Sequence, residues 1–130
     1  MNLGIALTPL RVVIVDDEAP AREHLATLLA PHAHVAIAGE AEDVETAADL
    51  CARVSPNIVF LDVQLRTTTG FELLPRLTGS PALIFVAASG EHAVRAFAAN
   101  ALDYLLKPVN PERLARALAR AASAAIRAAL

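Results

Sequence analysis

Residues 11–18 read RVVIVDDE, a β-branched run that ends in three consecutive acids. Such a run predicts a strand that is buried on both faces within a parallel sheet. Pro20 follows the acids by two residues and suits the first turn of a helix. This stretch therefore predicts an opening strand and helix, with carboxylates at the carboxyl end of the strand.

The alternation of apolar runs with helical patterns continues along the rest of the chain. The further strands are predicted at 34–38, 58–61, 82–86 and 102–106, and helices at 19–30, 43–53, 71–77, 91–100 and 111–128. Five strands that alternate with five helices predict an α/β fold, a parallel sheet with helices on both faces. Phe71, Phe85 and Phe97 are predicted to lie in its core.

Length and composition limit the classes of protein to consider. The chain has 130 residues, which fits one domain, and its 55% hydrophobic and 19% charged residues argue against intrinsic disorder. A net charge of −3 argues against general binding to nucleic acid or to a membrane surface. The single cysteine, Cys51, fits a reducing cytoplasm. Residues 1–10 lack the features of a signal peptide and are predicted to be a poorly ordered leader before one domain at 11–128.

Four of the five predicted strands are followed by residues that could form a site, most of them charged. Asp16 and Asp17 follow the first strand, Asp62 the third, residues 87–89 the fourth and Lys107 the fifth. The carboxyl ends of parallel strands meet at one edge of the sheet, where ligands bind. Carboxylates that share a site repel one another, and Mg²⁺ relieves the repulsion through oxygen ligands. A lysine binds phosphoryl oxygens, and a carboxylate can form an aspartyl phosphate. The pattern predicts a Mg²⁺-assisted phosphoryl acceptor.

Five segments in order resemble the receiver domain of two-component response regulators. They are VIVDDE (13–18), GEAED (39–43), NIVFLDVQL (57–65), GFELL (70–74) and NALDYLLKPV (100–109). The stretch AVRAFAANALDYLLKPV (93–109) is most similar to the receivers that precede LytTR-type DNA-binding domains. The resemblance implies a flavodoxin-like, doubly wound sheet of five strands in the order 2-1-3-4-5.

The resemblance also implies a role for each matching acidic residue. Asp62 is expected to accept a phosphoryl group from a histidine kinase. Mg²⁺ is expected to be held directly by Asp17, largely through water by Asp16, by Asp62 itself and by the backbone carbonyl of Gln64.

Further roles are implied on the side of the site that would bind the phosphoryl group. Lys107 and the backbone N–H of Ala88 are expected to contact its oxygens. The bond from Lys107 to Pro108 is expected to be cis, a geometry that is accessible essentially only before proline. Tyr104, the only tyrosine, matches an aromatic residue that moves inward on activation.

Two positions depart from the family's pattern. Position 87, where the family has Thr or Ser, is alanine, so it lacks the hydroxyl that would bind a phosphoryl oxygen and couple it to Tyr104. Arg66 stands four residues after Asp62, where a proline is usual. A more mobile loop, or a loop that reaches a partner, is expected there.

Three functions from different classes follow from these features. The first is a phosphorylated receiver that catalyses only its own phosphotransfer and dephosphorylation and is otherwise not an enzyme. The second is a receiver-like interaction module that signals without phosphorylation, which Ala87 and Arg66 favour. The third is a Mg²⁺ phosphatase of the haloacid dehalogenase type, which Gln64 disfavours because those enzymes have a second Asp two residues after the nucleophile.

The expected partners are a histidine kinase and a second copy of the chain. The homodimer surface is predicted on the fourth helix (91–100), the fifth strand (102–106) and the fifth helix, where Arg113–Arg120 are predicted to be exposed. No direct contact with nucleic acid and no membrane association are expected, and the predicted location is the cytoplasm. Whether an output domain accompanies this one stays open.

Overall fold

A computed structural model describes residues 9–130 as a sheet with helices packed on both faces. The strands are β1 (Leu10–Val15), β2 (Val35–Ala41), β3 (Ile58–Asp62), β4 (Ala82–Ala87) and β5 (Asp103–Leu106). The helices are α1 (Ala19–Leu29), α2 (Val44–Val54), α3 (Ala93–Ala98) and α4 (Pro111–Ala129), and Gly70–Arg76 forms a 3₁₀ helix. The predicted fourth and fifth helices therefore correspond to α3 and α4.

The strands lie in the order β2-β1-β3-β4-β5 and every neighbouring pair is parallel. This order confirms the predicted fold class and strand order. The chain passes from β1 outward to β2 and then returns to β3 on the other side of β1. The order of the strands therefore reverses between β1 and β3, and ligands bind at the carboxyl ends of strands at such a point.

Alternate residues of the central strands supply two separate cores. Val13, Val59 and Phe85 belong to the core beneath α2, the 3₁₀ helix and α3. Ile14 and Phe60 belong to the core beneath α1 and α4. Successive side chains of a strand point to opposite faces, so a strand covered on both faces has apolar residues at nearly every position. This burial explains the continuous apolar runs in the sequence.

Most elements begin or end one or two residues from the predicted bounds, and β1, β2 and the third helix differ in ways that change the description of the fold. Leu10, assigned to the leader, is a buried residue of β1, while residues 1–8 lie outside the described residues, so the rest of the leader stays a prediction. β2 continues to Ala41, because it pairs with β1 as far as Val15. The third helix is 3₁₀ rather than α-helical, since Pro75 lies inside it and has no N–H for an α-helical hydrogen bond.

Phe97 does not lie in the core as predicted. It is 50% exposed, and its neighbour Ala96 is the buried residue of α3. Val94, on the same helix, is 85% exposed. The short α3 thus presents two large apolar side chains to solvent. Across residues 9–130, no helix combines the length and apolar character needed to span a membrane.

Candidate functional site

The carboxyl ends of β1, β3 and β5 bring together three of the predicted site residues. Lys107 Nζ lies 2.9 Å from Asp16 Oδ2 and 3.2 Å from Asp62 Oδ2. Both carboxylates are buried, with 5% of each residue exposed. One ammonium group therefore bridges two carboxylates that have little access to water. The peptide bond from Lys107 to Pro108 is cis, as expected from the sequence.

The second oxygen of each buried carboxylate accepts a hydrogen bond from a backbone N–H group. Glu18 N–H donates to Asp16 Oδ1 at 2.9 Å, and Gln64 N–H donates to Asp62 Oδ1 at 3.3 Å. Asp17 is half-buried, and its carboxylate has no hydrogen bond or ion pair within residues 9–130. Helix capping does not account for the acidic pair, because the N-cap of α1 is Glu18 and no side chain caps that helix.

Asp16, Asp17 and Asp62 converge closely enough to hold a metal ion. One oxygen from each carboxylate lies within 4.8 Å of the others. Opposite ligands of an octahedral Mg²⁺ are about 4.2 Å apart, since each lies 2.0–2.1 Å from the ion. The cluster therefore fits a small, hard cation after a slight contraction, or with water completing the coordination. The expected contribution of the Gln64 carbonyl stays a prediction.

Burial and charge shift the protonation of two of these groups. Burial and, to a lesser extent, the charge of Asp16 raise the pKa of Asp62 to about 6, although Lys107 and the Gln64 N–H oppose the shift. Burial lowers the pKa of Lys107, but its hydrogen bond to Asp16 and the charges of both carboxylates outweigh this, so its pKa lies above its ordinary value. Lys107 is thus held as a cation, and the ionised form of Asp62 is disfavoured.

A cleft beside this cluster includes the residues expected to bind a phosphoryl group. Asp62, Ala87, Ala88, Ser89 and Lys107 all line it. Ala87 is 3% exposed and contributes only a methyl group. Position 87, where the family has a hydroxyl, therefore lines the cleft, and in this chain it offers no hydrogen-bond donor. The predicted contact from the Ala88 N–H stays a prediction.

Tyr104 lies inward rather than in solvent. The residue is 8% exposed, and its hydroxyl donates to the Ser89 carbonyl oxygen at 2.7 Å. Burial raises the pKa of Tyr104. The aromatic residue expected to move inward on activation therefore already occupies a buried position, where the backbone of the β4–α3 loop anchors it.

The loop that carries Arg66 is a closed turn. Leu65 N–H donates to the Thr68 carbonyl at 3.0 Å, and Gly70 N–H donates to the Val63 carbonyl at 2.8 Å. These bonds close the turn, and the expectation of a more mobile loop stays a prediction. Arg66 lies exposed in this turn and lines the cleft, so the expectation that it reaches a partner stays open.

Asp103 is a buried acid that the sequence analysis did not single out. Its carboxylate accepts from Arg113 Nη2 at 2.9 Å and Tyr104 N–H at 2.8 Å, and it lies 3.3 Å from Arg120 Nη1. Burial raises the pKa of Asp103, but these arginines and the N–H outweigh it, and the pKa lies below its ordinary value. Arg113 and Arg120, which were predicted to be exposed, therefore also belong to an ion network with Asp103. An acid inside an apolar strand was the available signal.

Gly70 is a second residue whose part in the site was missed. A Cβ there would meet the Asp62 carbonyl oxygen and would lie 2.8 Å from Leu61 Cγ. Only glycine lets the 3₁₀ helix begin this close to the end of β3. A glycine can occur at a position for many structural reasons, so no pattern in the sequence linked Gly70 to Asp62.

Comparison with known proteins agrees with this geometry. The family model of the response regulator receiver domain matches residues 12–119. The chain belongs to this family of receiver domains. The sensory transduction protein LytT of Bacillus anthracis is 43% identical over 112 residues, covering 84% of this chain and 46% of LytT. An uncharacterized response regulatory protein of Yersinia pestis is 43% identical over 113 residues, and the match covers 85% of this chain and 48% of the Yersinia protein.

Solved structures show the same architecture. The receiver domain of AraT from Geobacillus stearothermophilus, a response regulator, superposes with a TM-score of 0.83 at 27% identity, covering 93% of this chain and 98% of that one. The response regulatory domain of mrkE from Klebsiella pneumoniae gives 0.79 at 30% identity, covering 88% and 97%. The chain spans about half the length of the curated relatives named above. The similarity to LytT agrees with the predicted LytTR-type receiver.

Replacing Asp62 with asparagine should stabilise the metal-free protein in a pH-dependent way. The folded pKa of Asp62, about 6, lies above the unfolded value of about 3.9. Ionising Asp62 therefore costs more in the folded state, and the free energy of unfolding falls as pH rises between those values. We expect Asp62→Asn to exceed the wild type by roughly 1–3 kcal/mol at pH 7, with the gap closing below about pH 4. Urea unfolding in chelator across this range measures it. A variant of equal or lower stability at pH 7 would contradict the crowded-carboxylate interpretation.

Proposed function

We propose that this domain accepts a phosphoryl group on Asp62 from the phosphohistidine of a histidine kinase. An oxygen of the Asp62 carboxylate attacks phosphorus, the N–P bond breaks as the new O–P bond forms, and the imidazole leaves with the electron pair. Bound Mg²⁺ would neutralise charge and orient the phosphoryl oxygens. The observation that carries the proposal is the convergence of Asp62 with Lys107, Asp16 and Asp17 at the carboxyl ends of the strands, beside an open cleft.

Each remaining group has a part that its position supports. Asp16 and Asp17, with Asp62 and the Gln64 carbonyl, would hold the metal. Lys107, which contacts Asp62 Oδ2 at 3.2 Å, would pair with the transferred group as a point charge. The domain would then act on no substrate other than its own Asp62, through self-catalysed phosphotransfer and dephosphorylation.

The wider setting of this reaction is also a proposal. The name of the LytT relatives assigns those proteins to sensory transduction. We infer a role in cytoplasmic phosphorelay signalling, with transcription regulated through a LytTR-type output domain rather than through nucleic-acid contact by this domain. The buried, unpaired Cys51 is in accord with a reducing compartment.

Asp62→Asn should abolish phosphoryl acceptance while the fold persists. Asparagine has nearly the same shape but offers no carboxylate nucleophile. Acetyl phosphate with Mg²⁺ would be the donor, and intact mass would report the added phosphoryl group. Asp49→Asn, at an exposed acid of α2, is the matched control and should label like the wild type. Labelling that survives in Asp62→Asn would refute Asp62 as the acceptor.

Signalling without phosphorylation is favoured by the pair Ala87 and Tyr104. Tyr104 is already buried against Ser89, and Ala87 offers no hydroxyl through which a phosphoryl group would act on it. A two-state switch shifts only by the difference in interaction between its states. Phosphorylation should consequently move Tyr104 very little in the native protein.

Ala87→Thr should strengthen the coupling between the phosphoryl site and Tyr104. A hydrogen bond to a charged group contributes about 1.5–3 kcal/mol, which corresponds to roughly a ten- to hundredfold change in an equilibrium. Tyr104 fluorescence or NMR shifts on adding beryllofluoride should be larger in the variant, with little change in Mg²⁺ affinity. Ala88→Thr is the neighbouring control. Identical responses of Ala87→Thr and the wild type would show that the missing hydroxyl is irrelevant.

We propose that a second copy of the chain covers the surface formed by α3, β5 and α4. Val94, Phe97 and Leu106 are exposed there at 85%, 50% and 53%, and the Arg113 and Arg120 side chains lie partly exposed at 37% and 56%. Exposed apolar groups rimmed by charge are typical of protein interaction sites. Two copies would bury these groups against each other.

Val94→Glu should weaken such a dimer, because the interface would have to bury an unpaired carboxylate. Analytical ultracentrifugation, with and without beryllofluoride, measures the association. Ala52→Glu places the same charge on an exposed position of α2 and should leave association unchanged. A wild type that stays monomeric at high concentration in both conditions would refute the proposed surface.

A further inference from the structure

Arg22, on α1, connects two elements at the border of the acidic cluster. Its Nη1 donates to the Asp16 carbonyl oxygen at 2.7 Å, and its Nε donates to Glu40 Oε1 at 3.2 Å. The Arg22 side chain is 19% exposed, and that of Glu40 is 39% exposed. A half-covered guanidinium thus spans from β2 to the backbone of the acidic pair.

The Asp16 carbonyl belongs to the peptide unit that joins Asp16 to Asp17. A peptide unit is planar, so a bond to its oxygen restrains the orientation of the whole unit, including the nitrogen of Asp17. The Asp17 carboxylate has no hydrogen-bond or ionic partner within residues 9–130, and its direction depends on the backbone that carries it. The other nearby bonds restrain different units: Asp16 N–H donates to Ala41, and Glu18 N–H donates to the Asp16 side chain.

We propose that Arg22 is a positioning residue for the cation site, and that Glu40 holds it in place. Arg22 fixes the Asp16–Asp17 peptide so that the Asp17 carboxylate faces Asp16 and Asp62. The inference deepens the proposed function and rests on it, since it concerns the same metal-binding carboxylates. The contact between Arg22 on α1 and Glu40 on β2 would then help to orient a metal ligand, which is distinct from packing the helix against the sheet.

Charge and geometry act in opposite directions at this position. The positive charge of Arg22 beside the acidic pair disfavours binding of a metal cation, whereas its hydrogen bonds favour binding by orienting a ligand. Arg22→Lys keeps the charge but replaces the planar fork, which binds two acceptors at once, with a single nitrogen. This substitution therefore separates the two effects, and only loss of orientation would lower Mg²⁺ affinity.

Isothermal titration calorimetry of the full chain with Mg²⁺ alone tests the proposal. Loss of a partner that orients a metal ligand reduces metal affinity by about tenfold or more. We expect a loss of about tenfold in Arg22→Lys and a smaller loss in Glu40→Asp, which keeps the charge but shortens the side chain that holds Arg22. Arg53→Lys and Glu45→Asp, at exposed positions of α2, are matched controls and should bind like the wild type.

Phosphorylation by acetyl phosphate adds a measurement that general destabilisation would not reproduce. The Mg²⁺ concentration for half-maximal labelling should rise by the same factor as the dissociation constant, while the rate at saturating Mg²⁺ stays within about twofold. Circular dichroism identifies any variant that fails to fold, and Glu40→Asp then provides the second test.

The possible outcomes decide separately between this inference and the proposed function. Unchanged Mg²⁺ affinity in folded Arg22→Lys or Glu40→Asp would overturn the role of Arg22, as would a wild type that binds no Mg²⁺. If the wild type binds Mg²⁺ but Asp62 is never labelled, the proposed phosphoryl acceptance fails, and the calorimetric comparison still decides the role of Arg22.

Discussion

The bridge from Lys107 to Asp16 and Asp62 is the interaction on which the site depends. It joins the ends of three strands and supplies one positive charge to two buried carboxylates, with Asp17 close by. With all three acids ionised, the cluster retains two negative charges, which is the charge that a divalent cation balances. Burial makes this excess costly, because charged groups removed from water need a compensating partner. The pKa of Asp62 is raised for the same reason, because burial and the charge of Asp16 disfavour its ionised form.

Strand order determines how this bridge forms. β4 lies between β3 and β5, and neighbouring strands are about 4.8 Å apart. Lys107 therefore has to extend past the end of β4 to reach Asp62. The end of β4 carries two small residues, Ala87 and Ala88, and the Ala87 carbonyl accepts from Lys107 N–H at 2.8 Å. The residue that lacks the expected hydroxyl is thus also the residue whose backbone carbonyl binds the Lys107 N–H.

Local patterns predicted the parts of the fold that burial determines. The runs at β1, β3 and β4 are buried on both faces, so their apolar character is continuous and their positions were clear. β2 is an edge strand that contains Gly39 and Glu40, and its pattern ended too early. The site acids were also predictable, because each directly follows or ends a strand.

Pairs that are distant in the chain left no such pattern. The bonds of Arg22 to Glu40 and of Asp103 to Arg120 depend on how α1 and α4 lie against the sheet. No periodicity or motif in the sequence encodes these partners. Phe97 shows the same limit, because its helical spacing was compatible with a core position, whereas α3 packs against the sheet through Ala96.

β5 provides a short covalent path between the phosphoryl site and the surface of α4. Lys107 follows its last residue and contacts Asp62, whereas Asp103 is its first residue and binds Arg113 on α4. A change in the partner of Lys107 acts on the same four-residue strand that holds the arginine network. This path does not require a hydroxyl at position 87. Because a switch responds only to interactions that differ between its states, the lysine, rather than Tyr104, would be the group whose contacts change directly if Asp62 accepts a phosphoryl group as proposed.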